Sequence, residues 1–197
     1  MTDLAAMVGV PMGAVTDLLA ALTARRLTIA TAESLTGGLL VAVLTEIPGS
    51  SAVVRGGLVV YATELKHQLA GVDADLLAAV GPVDPQVAAA LAEGARRRCG
   101  ADIGIGLTGV AGPDAQDGIP VGTWFCAISG PGDHRDDRHG LPTSAPAGAT
   151  DTVATTNLAL TESNQSATVD VQRRGQIRAA AVRGALDMLA NIAATHS

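Results

Sequence analysis

Residues 27–46, LTIATAESLTGGLLVAVLTE, begin as an apolar run and end with leucines and valines at helical spacing. Residues 27–32 predict a buried strand, and residues 36–46 a helix that starts just past it. The alternation continues outward. Leucines at helical spacing over residues 14–26 end in Arg25 and Arg26, which suit a helix C-terminus. Pro48-Gly49-Ser50-Ser51 is a turn. Residues 53–61 (VVRGGLVVY) read as a strand with a glycine pair inside, and residues 63–70 as a short helix closed by Gly71. Asp84 as N-cap and Pro85 at the first helical position start a helix that stops at Gly100. Residues 102–108 and 121–129 read as strands on either side of a Gly/Pro-rich loop at 109–120, and the last helix is expected from about Gly175 to Ala194. Alternating strands and helices predict an α/β sandwich with helices on both sheet faces. In such folds, sites gather at the loops that leave the C-terminal ends of strands.

Residues 130–170 break the pattern, with six acids, two arginines and little apolar content. They read as a polar, partly disordered insertion, with strands at about Thr152–Leu160 and Ala167–Val171. The insertion is either tolerated or a lid.

Composition narrows the function. The 197 residues are 48% hydrophobic and 16% charged, which excludes wholesale disorder. Aromatics are Tyr61, Trp124 and Phe125 alone, so the core is aliphatic. A net charge of −6 with so few aromatics argues against nucleic-acid binding. No run reaches ~18 uninterrupted apolar residues, and the first residues carry no basic stretch, so a cytoplasmic chain is expected. Cys99 and Cys126 are too few for a disulfide framework or a zinc site and read as small hydrophobes. The four histidines are scattered, His134 and His139 within the insertion, so no metal site and no cofactor are expected.

Three segments could carry chemistry. In the first, Ser34 sits where a strand crosses into a helix, near free N–H groups of the first helical turn, and Gly37 and Gly38 allow close approach to the backbone. That suits a nucleophilic hydroxyl whose oxyanion needs backbone donors. Ser and Thr before a helix are equally ordinary caps, and Glu33 an ordinary acid. In the second, Tyr61 ends a strand and Lys66 follows five positions later. A serine nucleophile needs a base, and lysine serves when desolvation lowers its pKa. Every other basic residue is Arg, which cannot deprotonate, so the one lysine is either demanded by chemistry or placed by chance. In the third, Gly104-Ile105-Gly106-Leu107-Thr108-Gly109 has the spacing of a dinucleotide-binding loop. Its glycines fall inside a strand and no helix follows, which excludes that reading. What remains is the loop Thr108-Gly109-Val110-Ala111-Gly112-Pro113, a structural turn or a cradle of N–H groups for a phosphate or carboxylate.

Together these segments resemble the C-terminal domain family of CinA, the competence/damage-inducible proteins. The resemblance rests on Thr31-Ala32-Glu33-Ser34-Leu35-Thr36-Gly37-Gly38, Ile47-Pro48-Gly49-Ser50-Ser51, Gly56-Gly57-Leu58-Val59-Val60-Tyr61, Lys66, Thr108 to Pro113 and Pro120-Val121-Gly122-Thr123, with a looser match at Arg174-Gly175-Gln176-Ile177-Arg178. It implies a single domain, a three-layer α/β/α sandwich with a mixed sheet. It also implies hydrolysis of the carboxamide of nicotinamide mononucleotide, with Ser34 as nucleophile, Lys66 as base and Tyr61 as a supporting hydroxyl. Glu33, Thr36, Gly37, Gly38, Gly57, Thr108, Gly109, Ala111, Gly112 and Arg174 are then the substrate-binding candidates. The implied partners are a small nucleotide and further copies of the chain, as a homo-oligomer. Two departures stand out: the long 130–170 stretch, and Gln172-Arg173 where family members usually carry Gly-Asp before the arginine. The pyrophosphatase domain that precedes this module in full CinA proteins is not in the sequence, so that activity is not expected.

Overall fold

In the computed structural model of the chain, which describes residues 3–130, 152–157 and 167–194, the strand of the opening stretch forms at Ile29–Glu33 (β1). All five of its residues are buried, because β1 lies inside a five-stranded sheet. Its neighbours are β2 (Val54–Val59) and β3 (Ile103–Gly109), both parallel to it. Beyond β3, β4 (Thr123–Ser129) and β5 (Thr152–Asn157) add antiparallel, giving the order β2-β1-β3-β4-β5. The sheet is mixed, as expected.

Alternation of side chains along the strands builds the two outer layers. Ile29 of β1 and Ile103, Ile105 and Leu107 of β3 pack with α2 (Met12–Ala24), α3 (Leu39–Thr45) and α7 (Ala167–Ala194). A short α1 (Leu4–Met7) is tied to this layer by Glu46, whose carboxylate accepts the Leu4 N–H. On the opposite face, Ala30 and Ala32 pack with α6 (Pro85–Cys99), next to α4 (Thr63–Gln68) and α5 (Ala74–Val80). The chain is therefore a three-layer α/β/α sandwich in one domain.

Glycines set the spacing between β3 and α6. A Cβ on Gly104 would fall into the Ala92 carbonyl, and one on Gly106 into the Ala88 carbonyl. The helix thus rests on bare strand backbone, which explains glycine at alternate positions of a buried strand. At the ends of α6, Asp84 accepts the Gln86 N–H and Gly100 adopts a left-handed φ of 59°, the caps the sequence predicts.

The structure corrects several boundaries. The helix expected from residue 36 starts at Leu39, because Gly37 and Gly38 take φ of 60° and 90° and hold residues 34–38 as a turn. The last helix starts at Ala167, eight residues before Gly175, and the strand expected at Ala167–Val171 is its first part. A glycine costs an α-helix about 1 kcal/mol. The buried stripe of Ile177, Ala181, Val182, Ala185 and Leu189 outweighs that cost. The strand expected at Thr152–Leu160 forms at Thr152–Asn157 as β5. The remainder of the insertion, with His134 and His139, lies outside the described residues. Helices α1 and α5 are additions to the sequence reading. Cys126 is buried, and desolvation pushes its thiol up to about 12, whereas Cys99 is half-buried. Among the described residues, no helix is long and apolar enough to cross a membrane.

Gly106→Ala is expected to destabilise the fold by about 1–3 kcal/mol through overpacking. Gly13→Ala in α2, where a Cβ meets nothing within 4 Å, is expected to gain up to about 1 kcal/mol. Urea unfolding midpoints check both signs.

Candidate active site

β1 ends at Glu33, and Ser34 leaves the sheet with its N–H still bound to the Leu107 carbonyl at 2.9 Å. That bond fixes Ser34 at the C-terminal edge of the sheet. One strand over, β2 runs out through Val60 and Tyr61 and turns at Ala62 into α4. The first turn of α4 places Lys66 under the outgoing chain, 2% exposed.

The Lys66 amine has three oxygen neighbours. Ser34 Oγ lies at 3.1 Å, the Val60 carbonyl at 3.0 Å and the Tyr61 carbonyl at 3.3 Å. A neutral amine has two N–H bonds and one lone pair. Donating to the two carbonyls leaves the lone pair for the Ser34 hydroxyl. Burial pushes the Lys66 pKa down from 10.5 to about 8, against a smaller upward pull from Glu64. No carboxylate forms an ion pair with this amine among the described residues.

Ser34 and Lys66 lie in a cleft of about 400 Å³. Tyr61, Thr108, Gly109, Ala111, Gly112 and Arg174, all named from the sequence, also line it. Thr108 is buried and its hydroxyl donates to the Pro82 carbonyl at 2.7 Å. Tyr61 is 59% exposed, and its phenol accepts from Arg174 at 2.9 Å. Arg174 also donates to the Gly112 carbonyl at 2.6 Å. Tyr61 thus meets Lys66 through its carbonyl, whereas its hydroxyl sits at the mouth beside the guanidinium. Among the described residues the phenol makes no direct hydrogen bond to the amine that the expectation has it support.

Five further candidates lie away from the cleft lining. Glu33 is fully buried, and its carboxylate accepts from the N–H groups of Gly38, Leu40 and Val41 and from the Thr31 hydroxyl. The N–H groups expected to serve an oxyanion at the start of α3 are therefore occupied. Gly57 leaves room for Thr31 and Val41, since a Cβ there would lie 2.6 Å from Thr31 Oγ1. Thr36 is buried and its carbonyl accepts from Arg178 at 2.8 Å. Gly37 and Gly38 shape the turn. Within the cleft, the N–H groups of Leu35, Ala111 and Gly112 have no partner among the described residues.

Sequence reasoning missed Pro82, Val83, Asp114 and Gln116, which also line the cleft. Pro82 and Val83 follow α5, which the sequence reading left unassigned. Asp114 and Gln116 sit in the loop at 109–120, where no periodicity marks which side chain turns inward. Among the described residues, no group of three His, Cys, Asp or Glu side chains is placed to hold a metal ion.

A family model for the CinA C-terminal domain matches residues 13–160. The chain belongs to this family. A CinA-like protein of Frankia casuarinae is 53% identical over 114 residues, 58% of this chain and 26% of that protein. A second CinA-like protein, from Gemmatimonas aurantiaca, is 52% identical over 119 residues, 60% of this chain and 28% of its own length. The matched part is thus about a quarter of these CinA relatives. Among solved structures, the competence/damage inducible protein CihA of Agrobacterium tumefaciens superposes with a TM-score of 0.74 at 31% identity, covering 92% of this chain and 94% of its own. The competence damage-inducible protein A of Klebsiella pneumoniae gives 0.74 at 27% identity, covering 94% and 98%. The CinA fold is therefore shared along nearly the whole chain.

With the Lys66 pKa at about 8, the neutral amine gains tenfold per pH unit below that value and levels off above it. The rate of any reaction at Ser34 that uses this amine as base is expected to follow the same curve. A pH–rate profile from pH 6 to 10 checks it, and a flat profile excludes Lys66 as the base.

Proposed function

We propose that this CinA-family domain is an amidase that hydrolyses the carboxamide of nicotinamide mononucleotide to nicotinate mononucleotide and ammonia. The observation that carries the reading is the Lys66 amine, buried and 3.1 Å from the Ser34 hydroxyl at the floor of an open cleft. The substrate comes from the family resemblance, and the cleft chemistry is compatible with it.

The neutral Lys66 amine takes the Ser34 proton as Oγ attacks the amide carbon. The charge that develops on the amide oxygen needs donors, and the N–H groups of Leu35, Ala111 and Gly112, residues of the cleft lining without a partner among the described residues, are available to supply them. Lys66 returns the proton to the departing nitrogen, so ammonia leaves and the acyl group stays on Ser34. Water, deprotonated by the same amine, then cleaves the ester and regenerates the hydroxyl. The pyridinium ring withdraws electrons from the amide and favours attack. At the mouth, Arg174 with the Tyr61 hydroxyl offers charge-assisted donors for the phosphate. The expected partners are this small nucleotide and further copies of the chain. No cofactor enters the scheme.

Ammonia release from nicotinamide mononucleotide is expected in the purified protein. Ser34→Ala and Lys66→Ala are each expected to lower kcat by about 10³-fold or more. Arg174→Ala is expected to raise KM with kcat within about threefold, since it contacts a part of the substrate remote from the bond broken. Nucleotide binding without release points instead to a binding module, and release only from another amide moves the substrate and keeps the dyad.

A further inference from the structure

We infer that Glu33 is a positioning residue for Ser34: its carboxylate closes the turn that carries the nucleophile and fixes the hydroxyl on the Lys66 amine. The inference rests on the amidase reading of Ser34 and Lys66, and extends it to a residue outside the cleft.

Glu33 immediately precedes Ser34 and is fully buried. Its main chain is held in the sheet, where the carbonyl accepts the Val60 N–H at 2.9 Å. Its side chain reaches over the turn. One oxygen accepts from Gly38 at 3.1 Å and Leu40 at 3.0 Å, and the other from Val41 at 2.9 Å and the Thr31 hydroxyl at 3.1 Å. One residue therefore grips both ends of the segment 34–38. The crown of the turn is held separately by Arg178 on the Thr36 carbonyl.

The chemistry demands a carboxylate. All four partners of the side chain donate, and an ionised carboxylate is the side chain that only accepts. A glutamine of the same shape would turn an NH2 group toward N–H donors and leave at least one buried pair unmade. An aspartate, one methylene shorter, would not reach Val41. Gly38, the cap residue of α3, has no side chain to substitute for it. The same Val60 that binds the Glu33 carbonyl through its N–H gives its own carbonyl to Lys66. The residue before the nucleophile and the base are thus both anchored on the backbone of one residue, Val60. A misplacement of about 1 Å in such a site costs about 10²-fold in rate.

The test uses a probe that needs only the nucleophile and its base. Phenylmethanesulfonyl fluoride forms an S–O bond at Ser34 and releases fluoride, and the proton passes to Lys66 and then to solvent. The second-order labelling rate is measured for the wild-type chain, Glu33→Gln and the milder Thr31→Val, which removes one of the four donors. Far-UV circular dichroism and urea midpoints report the fold, and Ser34→Ala verifies the label's position. The expected result is a labelling rate about tenfold or more lower in folded Glu33→Gln and a few-fold lower in Thr31→Val. The midpoint of the pH–rate profile is expected to stay near 8 in both, because the burial that lowers the Lys66 pKa and the two carbonyls that hold the amine are untouched. Equal rates in the wild type and the folded variants overturn the inference. If Glu33→Gln does not fold, an unchanged rate in Thr31→Val overturns it alone. A wild-type chain that is not labelled at Ser34 overturns the nucleophile reading, and the positioning role with it.

Discussion

A single amine kept out of water governs this site. A lysine in an apolar interior is costly to charge, and Lys66 reduces that cost with two main-chain carbonyls rather than with an acid. Such partners accept hydrogen bonds from either protonation state, so they hold the amine without forcing it to stay charged. An aspartate in their place would keep the amine an ammonium and remove its use as a base. The carbonyls are available because β2 lies at the sheet edge and its chain turns into α4 straight after Tyr61. The edge position of β2, the turn at Ala62 and the first helical turn of α4 are therefore requirements of the amine's environment.

The architecture was legible where local chemistry repeats: the alternating strands and helices, the Asp84-Pro85 start and the Gly100 stop of α6. The turn after β1 was harder. Its sequence reads as a helix from residue 36, and only backbone torsions at Gly37 and Gly38 show that the helix begins later. Residues 167–174 misled for a similar reason. β-branched Thr168 and Val171 favour strand locally, but packing of the same element at Ile177 and beyond decides its state.

At the site, Ser34 and Lys66 stood out because their residue types suit the chemistry, and the lysine has no companion of its kind in the chain. The role of Glu33 was not legible. From the sequence an acid beside a serine reads as a ligand contact or a solvated charge, and nothing in the spacing shows that its side chain reaches forward over five to eight residues to meet N–H groups. The same limit applies to Tyr61, whose useful atom toward the amine is a carbonyl that any residue would supply. Asp114 and Gln116 depend on the path of an irregular loop, which carries no period to read.

Arg174 joins parts of the chain that are distant in order: residue 61 beyond β2, residue 112 in the loop after β3, and α7 itself. Ser34, Lys66 and the strands beneath them are all complete before α7 has been synthesised. The wall of the cleft that carries this guanidinium is therefore finished only by the C-terminal helix, whose Ile177, Ala181 and Val182 lie in the same core as Ile29 and Ile105 of the sheet.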